Sequence, residues 1–235
     1  LTCILCPRGC SLAVESVENG LSVTAGDTVR ICWQRKYQFF RGLAHIKQVL
    51  RTGKAIEEKP EFEWLSYMTD VSRNGVMSLP AIKKMIRWLA AMGYNGLNMY
   101  IEDIYEVPEY PYFGHQRGRY TKAELKEMVA YGKRFGITLY PSIQVLGHLE
   151  RILIWPAFRD IKDSDAVLYV GKEETYQFID ALFKNLCECF ESRDFCLNMD
   201  EAHTMGLGIV DEIPHNQEII HIAHIQLVRL HQICL

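Results

Sequence analysis

Phe195-Cys196-Leu197-Asn198-Met199-Asp200-Glu201-Ala202-His203-Thr204-Met205-Gly206-Leu207-Gly208 is the stretch from which the rest of the chain can be read. Phe195 to Met199 is a short apolar run of the kind that forms a buried strand, and Gly206 and Gly208 mark the loop behind it. Two adjacent carboxylates and a histidine therefore emerge at the carboxyl end of a strand, where ligands gather in α/β proteins. Neighbouring acids repel each other and lose water there, which predicts a raised pKa for at least one of them and a proton donor near neutral pH. Glu201 is the candidate acid and Asp200 its charged neighbour. The plainer reading makes the pair a cap on the following turn. What the other strand ends carry decides between them.

Working outward, the same strand-then-helix unit recurs upstream. Leu65 to Val71 is strand-like and runs into Asp70-Val71-Ser72-Arg73-Asn74; Ser78 then caps a helix carrying Leu79, Ile82, Met85, Ile86 and Leu89, stopped at Gly93. Gly96 to Ile101 is a second strand ending in Glu102-Asp103. A loop crowded with Tyr105, Tyr110, Tyr112, Phe113 and Tyr120 follows, read as partly core and partly a ligand-stacking wall. Thr121-x-x-Glu124 is a capping box for the next helix, which closes at Gly136. Ile137 to Gln144 is a third strand ending in Gly147-His148, and a helix over Glu173 to Glu191 leads to the fourth. A terminal helix is expected from Gln217 to Leu235, with His221 and His224 on a solvated face.

Four such units in a row imply a parallel sheet with right-handed crossovers, and all four strands end in polar residues. That pattern favours a (β/α) barrel, whose reactive groups come from the carboxyl ends of several strands. A dinucleotide site has no support, because Gly206-x-Gly208 lacks a third glycine and follows the fourth strand rather than the first. The fold class expected is α/β: a partial (β/α)8 TIM-type barrel of about four β/α units, preceded by a small α+β segment. The division expected is residues 1–60 and residues 61–235.

The front segment begins Cys3-x-x-Cys6-Pro7-Arg8-Gly9-Cys10, followed by strand-like Leu12 to Val17, Leu21 to Thr24 and Val29 to Trp33. With Cys32 these cysteines could hold zinc or an iron–sulfur cluster. The stretch resembles small cysteine-rich bacterial modules; the alternative is a reduced segment without metal, which is the expectation adopted. Tyr37 to Leu50 reads as a helix with Phe40, Leu43, Ile46 or Lys47, and Leu50 on one face. The charged residues from Gly53 to Pro60 read as a linker.

The 235 residues are 49% hydrophobic and 23% charged, enough for one sizeable core or one core with a small appendage. A net charge of -3 gives no electrostatic case for nucleic acid or an anionic membrane surface. No apolar run reaches the roughly 18 residues of a bilayer span, and no secretory signal pattern opens the sequence. A soluble, cytoplasmic protein is therefore expected. Cys187, Cys189, Cys196 and Cys234 lie in apolar patterns and read as reduced, buried thiols.

At Asp70-Val71-Ser72-Arg73, Tyr100-Ile101-Glu102-Asp103-Ile104-Tyr105-Glu106, Tyr110-Pro111-Tyr112-Phe113-Gly114, Arg117-Gly118-Arg119-Tyr120-Thr121, Gln144-Val145-Leu146-Gly147-His148-Leu149-Glu150 and Met199-Asp200-Glu201-Ala202-His203, the chain resembles the family 20 glycoside hydrolases, the β-N-acetylhexosaminidases. These segments fall in the family's order over roughly residues 62 to 235. The resemblance implies a retaining, substrate-assisted hydrolysis, an exception to the two-carboxylate scheme. In it the sugar's own 2-acetamido carbonyl attacks the anomeric carbon and forms an oxazolinium. Carried over, Glu201 is general acid and then base, and Asp200 orients the acetamido N–H. Arg73 grips ring hydroxyls, Glu102 is a further substrate contact, and Asp103 and His148 extend a hydrogen-bond relay towards the acid. His203 is read as structural. The resemblance implies no cofactor and no metal at this site. The partners it implies are glycans ending in N-acetylglucosamine or N-acetylgalactosamine. The family's barrel has eight strands and this sequence offers four, so self-association to cover the open sheet is a further expectation.

Overall fold

Alternating small and branched residues build the first sheet. In the computed structural model, which describes residues 11–208 except 74 and 193, β1 (Ser11–Ser16), β2 (Leu21–Ala25) and β3 (Thr28–Trp33) form at the three strand-like runs. Cys3, Cys6, Cys10, Cys234, His221, His224 and the terminal helix lie outside the described residues. β3 pairs parallel with β1 and antiparallel with β2, where fully buried Val23 and Ile31 stand opposite each other. α1 (Lys36–Thr52) seats on these strands through Gly42, where a Cβ would stand only 2.6 Å from Ile31 Cγ2.

The expected helix face is met in part: Leu43 and Ile46 pack against the core, whereas Leu50 is left 43% exposed. The residue small enough to let the helix down is Gly42, and the buried positions are Tyr37, Gln38, Gly42 and Val49. The expected linker is also corrected. Ile56–Glu58 forms β4 and pairs antiparallel with β2, giving the order β1-β3-β2-β4. The charge that suggested a linker is matched from α1: Arg41 Nε and Nη2 hold the Glu58 carboxylate at 3.0 and 2.9 Å, and His45 Nε2 lies 2.8 Å away.

The second sheet follows the expected alternation. β5 (Ser66–Asp70), β6 (Gly96–Tyr100), β7 (Thr138–Gln144) and β8 (Cys196–Asn198) lie in that order, with β7 and β8 parallel. β5 and β6 also run the same way: the Leu65 carbonyl accepts from Asn95 and Gly96 N–H at their starts, and Val71 N–H donates to the Tyr100 carbonyl at their ends. α2 (Leu79–Met92), α3 (Lys122–Phe135), the short α4 (Glu150–Leu153) and α5 (Glu173–Cys187) separate the strands. Ser78 occupies the N-cap of α2 in an extended conformation, but its side chain makes no cap bond, and Pro80 fixes the first turn instead. The capping box of α3 forms as read: Thr121 N–H donates to Glu124 Oε2 at 2.9 Å, and Glu124 N–H to Thr121 Oγ1 at 3.2 Å.

The chain divides into two compact units, one of residues up to 68 with 78–98 and 128–139, the other of residues 69–77, 99–127 and 140 onward. In the first, Leu21, Val23, Ile31 and Val49 form a core with Leu12, Phe39, Leu43 and Ile46 packed against it. In the second, Tyr105, Phe113, Phe158 and Phe178 make an aromatic core, with ring centroids 5.0 Å apart for Tyr105–Phe113 and 5.5 Å for Phe158–Phe178. Most of the tyrosine-rich loop is therefore core; Tyr112, 46% exposed, is its outward member. Among the described residues no helix is long and apolar enough to cross a membrane. Every strand-end residue singled out from the sequence belongs to the second unit.

Candidate active site

The turn after β5 is set by Asp70, whose carboxylate accepts the N–H groups of Ser72 and Arg73 at 2.9 and 3.1 Å. This brings Arg73 Nε to 3.3 Å from Asp70 Oδ2 and 3.4 Å from Glu102 Oε1, with its guanidinium carbon 4.8 Å from the centre of the Tyr100 ring. Tyr100 first, and then Asp70 and Glu102, push the guanidinium pKa up, so Arg73 stays charged. Ser72 Oγ ties this turn to the end of β6, donating to the Tyr100 carbonyl at 3.1 Å and accepting Glu102 N–H at 2.8 Å.

From Glu102 the contacts continue across the strand ends. Burial pushes the Glu102 carboxyl up, against the pull of the Tyr100 hydroxyl and Arg73. Tyr100 Oη donates to Glu102 Oε1 at 3.0 Å and accepts from Gln144 Nε2 at 2.9 Å; burial likewise raises its pKa. Gln144 Nε2 also lies 3.4 Å from Asp200 Oδ1. His148 Nε2 completes the series, 3.3 Å from Asp200 Oδ2 and 3.4 Å from Glu201 Oε2. One ring nitrogen thus faces two carboxylates. Arg73, Glu102, His148, Asp200 and Glu201 are joined in one line of contacts through Tyr100 and Gln144.

Asp103 is the exception. It is fully buried, and neither carboxylate oxygen has a hydrogen bond, so the expected relay between Asp103 and His148 does not form. Its close charge partner is Arg117, with Nη2 3.3 Å away, and the same guanidinium donates to the Ser72 carbonyl. Burial raises the Asp103 carboxyl, and Arg117 draws it partly back. The side chain enters the interior beside the loop after β6, where Gly114 passes so close to the Asp103 carbonyl that a Cβ would overlap it.

The expected loss of water at the acid pair is corrected too. The side chains of Asp200 and Glu201 are 62% and 65% exposed; the dehydrated acids are Glu102 and Asp103, one strand end away in sequence order from His148. Glu201 and His148 share a second property. Both are non-glycine residues in the left-handed region, at φ 52 and φ 56. Such geometry is uncommon and costs about 1–3 kcal/mol, and it gathers at sites where position matters more than relaxation. Exposed His203 closes the turn through its N–H to the Glu201 carbonyl at 2.8 Å, a backbone role.

Tyr100, Gln144 and Ser72 were not assigned roles from sequence. The available signal was their place as the last polar residues of β6 and β7 and the first after β5. Cys32, the described member of the front cysteines, is a free, partly buried thiol in β3. No group of three or more His, Cys, Asp or Glu among the described residues is placed to hold a metal ion.

Chemically, the site offers a charged fork with flanking carboxylates suited to vicinal hydroxyls, and an exposed carboxylate pair suited to moving a proton. Known proteins resemble this chain in sequence and in fold. The chain is 29% identical over 184 residues to the beta-hexosaminidase subunit beta of Entamoeba histolytica, covering 68% of the chain and 32% of that protein. It spans about a third of the length of the curated relatives it matches. The chitobiase of Flavobacterium johnsoniae superposes with a TM-score of 0.80 at 20% identity, over 98% of this chain and 41% of that one. So large a share takes in described residues of the front segment, which therefore has this fold likeness too. A mutant Streptomyces plicatus beta-hexosaminidase in complex with product (GlcNAc) superposes at 0.72 and 22% identity, over 83% of this chain and 48% of that one. The family model described as glycosyl hydrolase family 20, catalytic domain, matches residues 62–226. With more than half its length inside that match, the chain belongs to glycosyl hydrolase family 20.

Proposed function

We propose that this chain carries part of the active site of a β-N-acetylhexosaminidase that removes terminal β-linked N-acetylhexosamine with retention, the substrate's own acetamido group acting as nucleophile. The observation that carries the reading is the line of contacts from Arg73 through Glu102, Tyr100, Gln144 and Asp200 to His148 and Glu201. Arg73, with Glu102 beside it, holds ring hydroxyls. Asp200 accepts the acetamido N–H and faces its developing positive charge. Glu201 gives its proton to the glycosidic oxygen, then removes one from the water that opens the oxazolinium. His148 holds the two carboxylates apart. Asp103 acts from the interior, steadying Arg117 and through it the Ser72 turn that presents Arg73.

We further propose that β5 to β8 and their helices are four consecutive units of a (β/α)8 barrel, supported by their parallel order and the fold likeness. The boundary proposed lies between residues 60 and 61, which the start of the family match at residue 62 supports. Turnover then requires the remaining barrel, from the same polypeptide or by association of copies. The test is substrate choice on the full-length polypeptide containing this chain. A chromogenic N-acetyl-β-glucosaminide should be cleaved with the β-anomer appearing first, and the matching β-glucoside, which lacks the nucleophile, should be inert. Comparable cleavage of both would defeat the substrate-assisted mechanism.

A further inference from the structure

The glycine pair after the acid pair is left unexplained by the chemistry above, and its explanation lies some forty residues upstream. Asp163 is buried, and its Oδ2 accepts the N–H of Gly206 at 2.5 Å, while Oδ1 is buried without a partner. Gly206 sits at φ 76, and at Gly208 any Cβ would fall on the Asp163 carbonyl oxygen. The loop carrying Asp200 and Glu201 therefore presses against Asp163 at two points. Ser164 Oγ and Thr204 Oγ1, 2.6 Å apart, add a third.

The same turn also grips the other side of the acid pair. Leu149 N–H donates to the Ala166 carbonyl at 3.1 Å and Leu168 N–H to the Leu146 carbonyl at 3.0 Å, one on each side of Gly147-His148. Leu146, Val167 and Met205 pack together beneath, with Met199 and Ala202 against them. Residues 163–168 thus bind both the His148 loop and the Glu201 loop, whose side chains meet at 3.4 Å.

We propose that Asp163 is a positioning residue, clamping Gly206 and Gly208 so that Asp200 and Glu201 are held against His148. This rests on the reading of Glu201 as proton donor. A carboxylate suits the task because it accepts a backbone N–H strongly. A glycine at 208 suits it because nothing larger lets the two backbones meet.

The test uses the full-length polypeptide with Asp163→Ala, Gly208→Ala and Asp163→Asn, read by amide hydrogen exchange and by kcat and KM on a chromogenic N-acetyl-β-glucosaminide. Asp163→Ala and Gly208→Ala should speed exchange across residues 200–208 and leave β1–β3 unchanged. Their kcat should fall about tenfold to a hundredfold, the loss expected from misplacing a reacting group by an ångström or so. KM should stay within about twofold, because Arg73 is untouched. Asp163→Asn keeps an acceptor oxygen and should recover most of the loss. Wild-type exchange over 200–208 in both variants, faster exchange with unchanged kcat, or loss of protection throughout the chain would each overturn the proposal. A Glu201→Gln control that keeps the wild-type rate would overturn the proton-donor reading, and with it the catalytic half of the proposal; the exchange result isolates a failure of the clamp itself.

Discussion

Asp103 sets burial against charge more sharply than any other residue of the site. It is fully buried with no hydrogen bond to either oxygen, and burial raises its carboxyl while Arg117 only partly offsets this. A carboxyl raised in the folded state binds its proton more tightly there than in the unfolded chain. Stability therefore falls as pH climbs from the unfolded value near 4 through the raised folded one. Asp103→Asn should remove that decline, giving a flatter melting temperature between about pH 4 and pH 7; an unchanged slope would show that Asp103 does not titrate in this window. Arg117→Met should act the other way, destabilising at neutral pH by about 3–5 kcal/mol because it strands a buried charge, and a urea melt measures it. From sequence, Arg73, Asp200, Glu201 and His148 were legible because strand ends collect reactive groups. The pairing of buried Asp103 with Arg117 was not, since it joins residues fourteen positions apart across the loop after β6.

Gly42 and β4 carry the corresponding lessons for whole elements. Helix propensity gave α1 its length to within a few residues, but the face it buries is chosen by the smallest residue, which lets the helix reach Ile31. Gly42→Val should overpack that contact and destabilise the first unit by about 1–3 kcal/mol in a thermal melt. β4 was hidden because charge in a short segment looks the same whether solvated or paired. Glu58 is the pairing group, its pKa lowered chiefly by the hydrogen bonds from Arg41. A depressed carboxyl contributes stability that is present above its unfolded value near 4 and is lost as pH falls through its folded value. Glu58→Gln should cost about 0.5–1 kcal/mol at neutral pH, discounted for its partial exposure, and the difference from wild type should shrink on acidification. A difference that holds steady down to pH 3 would assign the effect to packing. The strand-helix alternation of the second sheet, by contrast, was readable at once, because each boundary carries its own signal: Gly93, the Thr121–Glu124 box and Gly136.

At the scale of the molecule, the sheet order β5-β6-β7-β8 brings together polar groups spread from Arg73 to Glu201, since parallel strands release their ends on one side. The chain spans about a third of the length of its curated relatives. In the proposed glycosidase reaction, Glu201 moves the proton. The most direct test of that role is the rate of full-length Glu201→Gln on N-acetyl-β-glucosaminides that differ in leaving-group acidity. Loss of a general acid predicts a fall of about a hundredfold to ten-thousandfold for a poor leaving group and a much smaller one for an activated phenol. Equal, wild-type-like rates on both substrates would contradict the account.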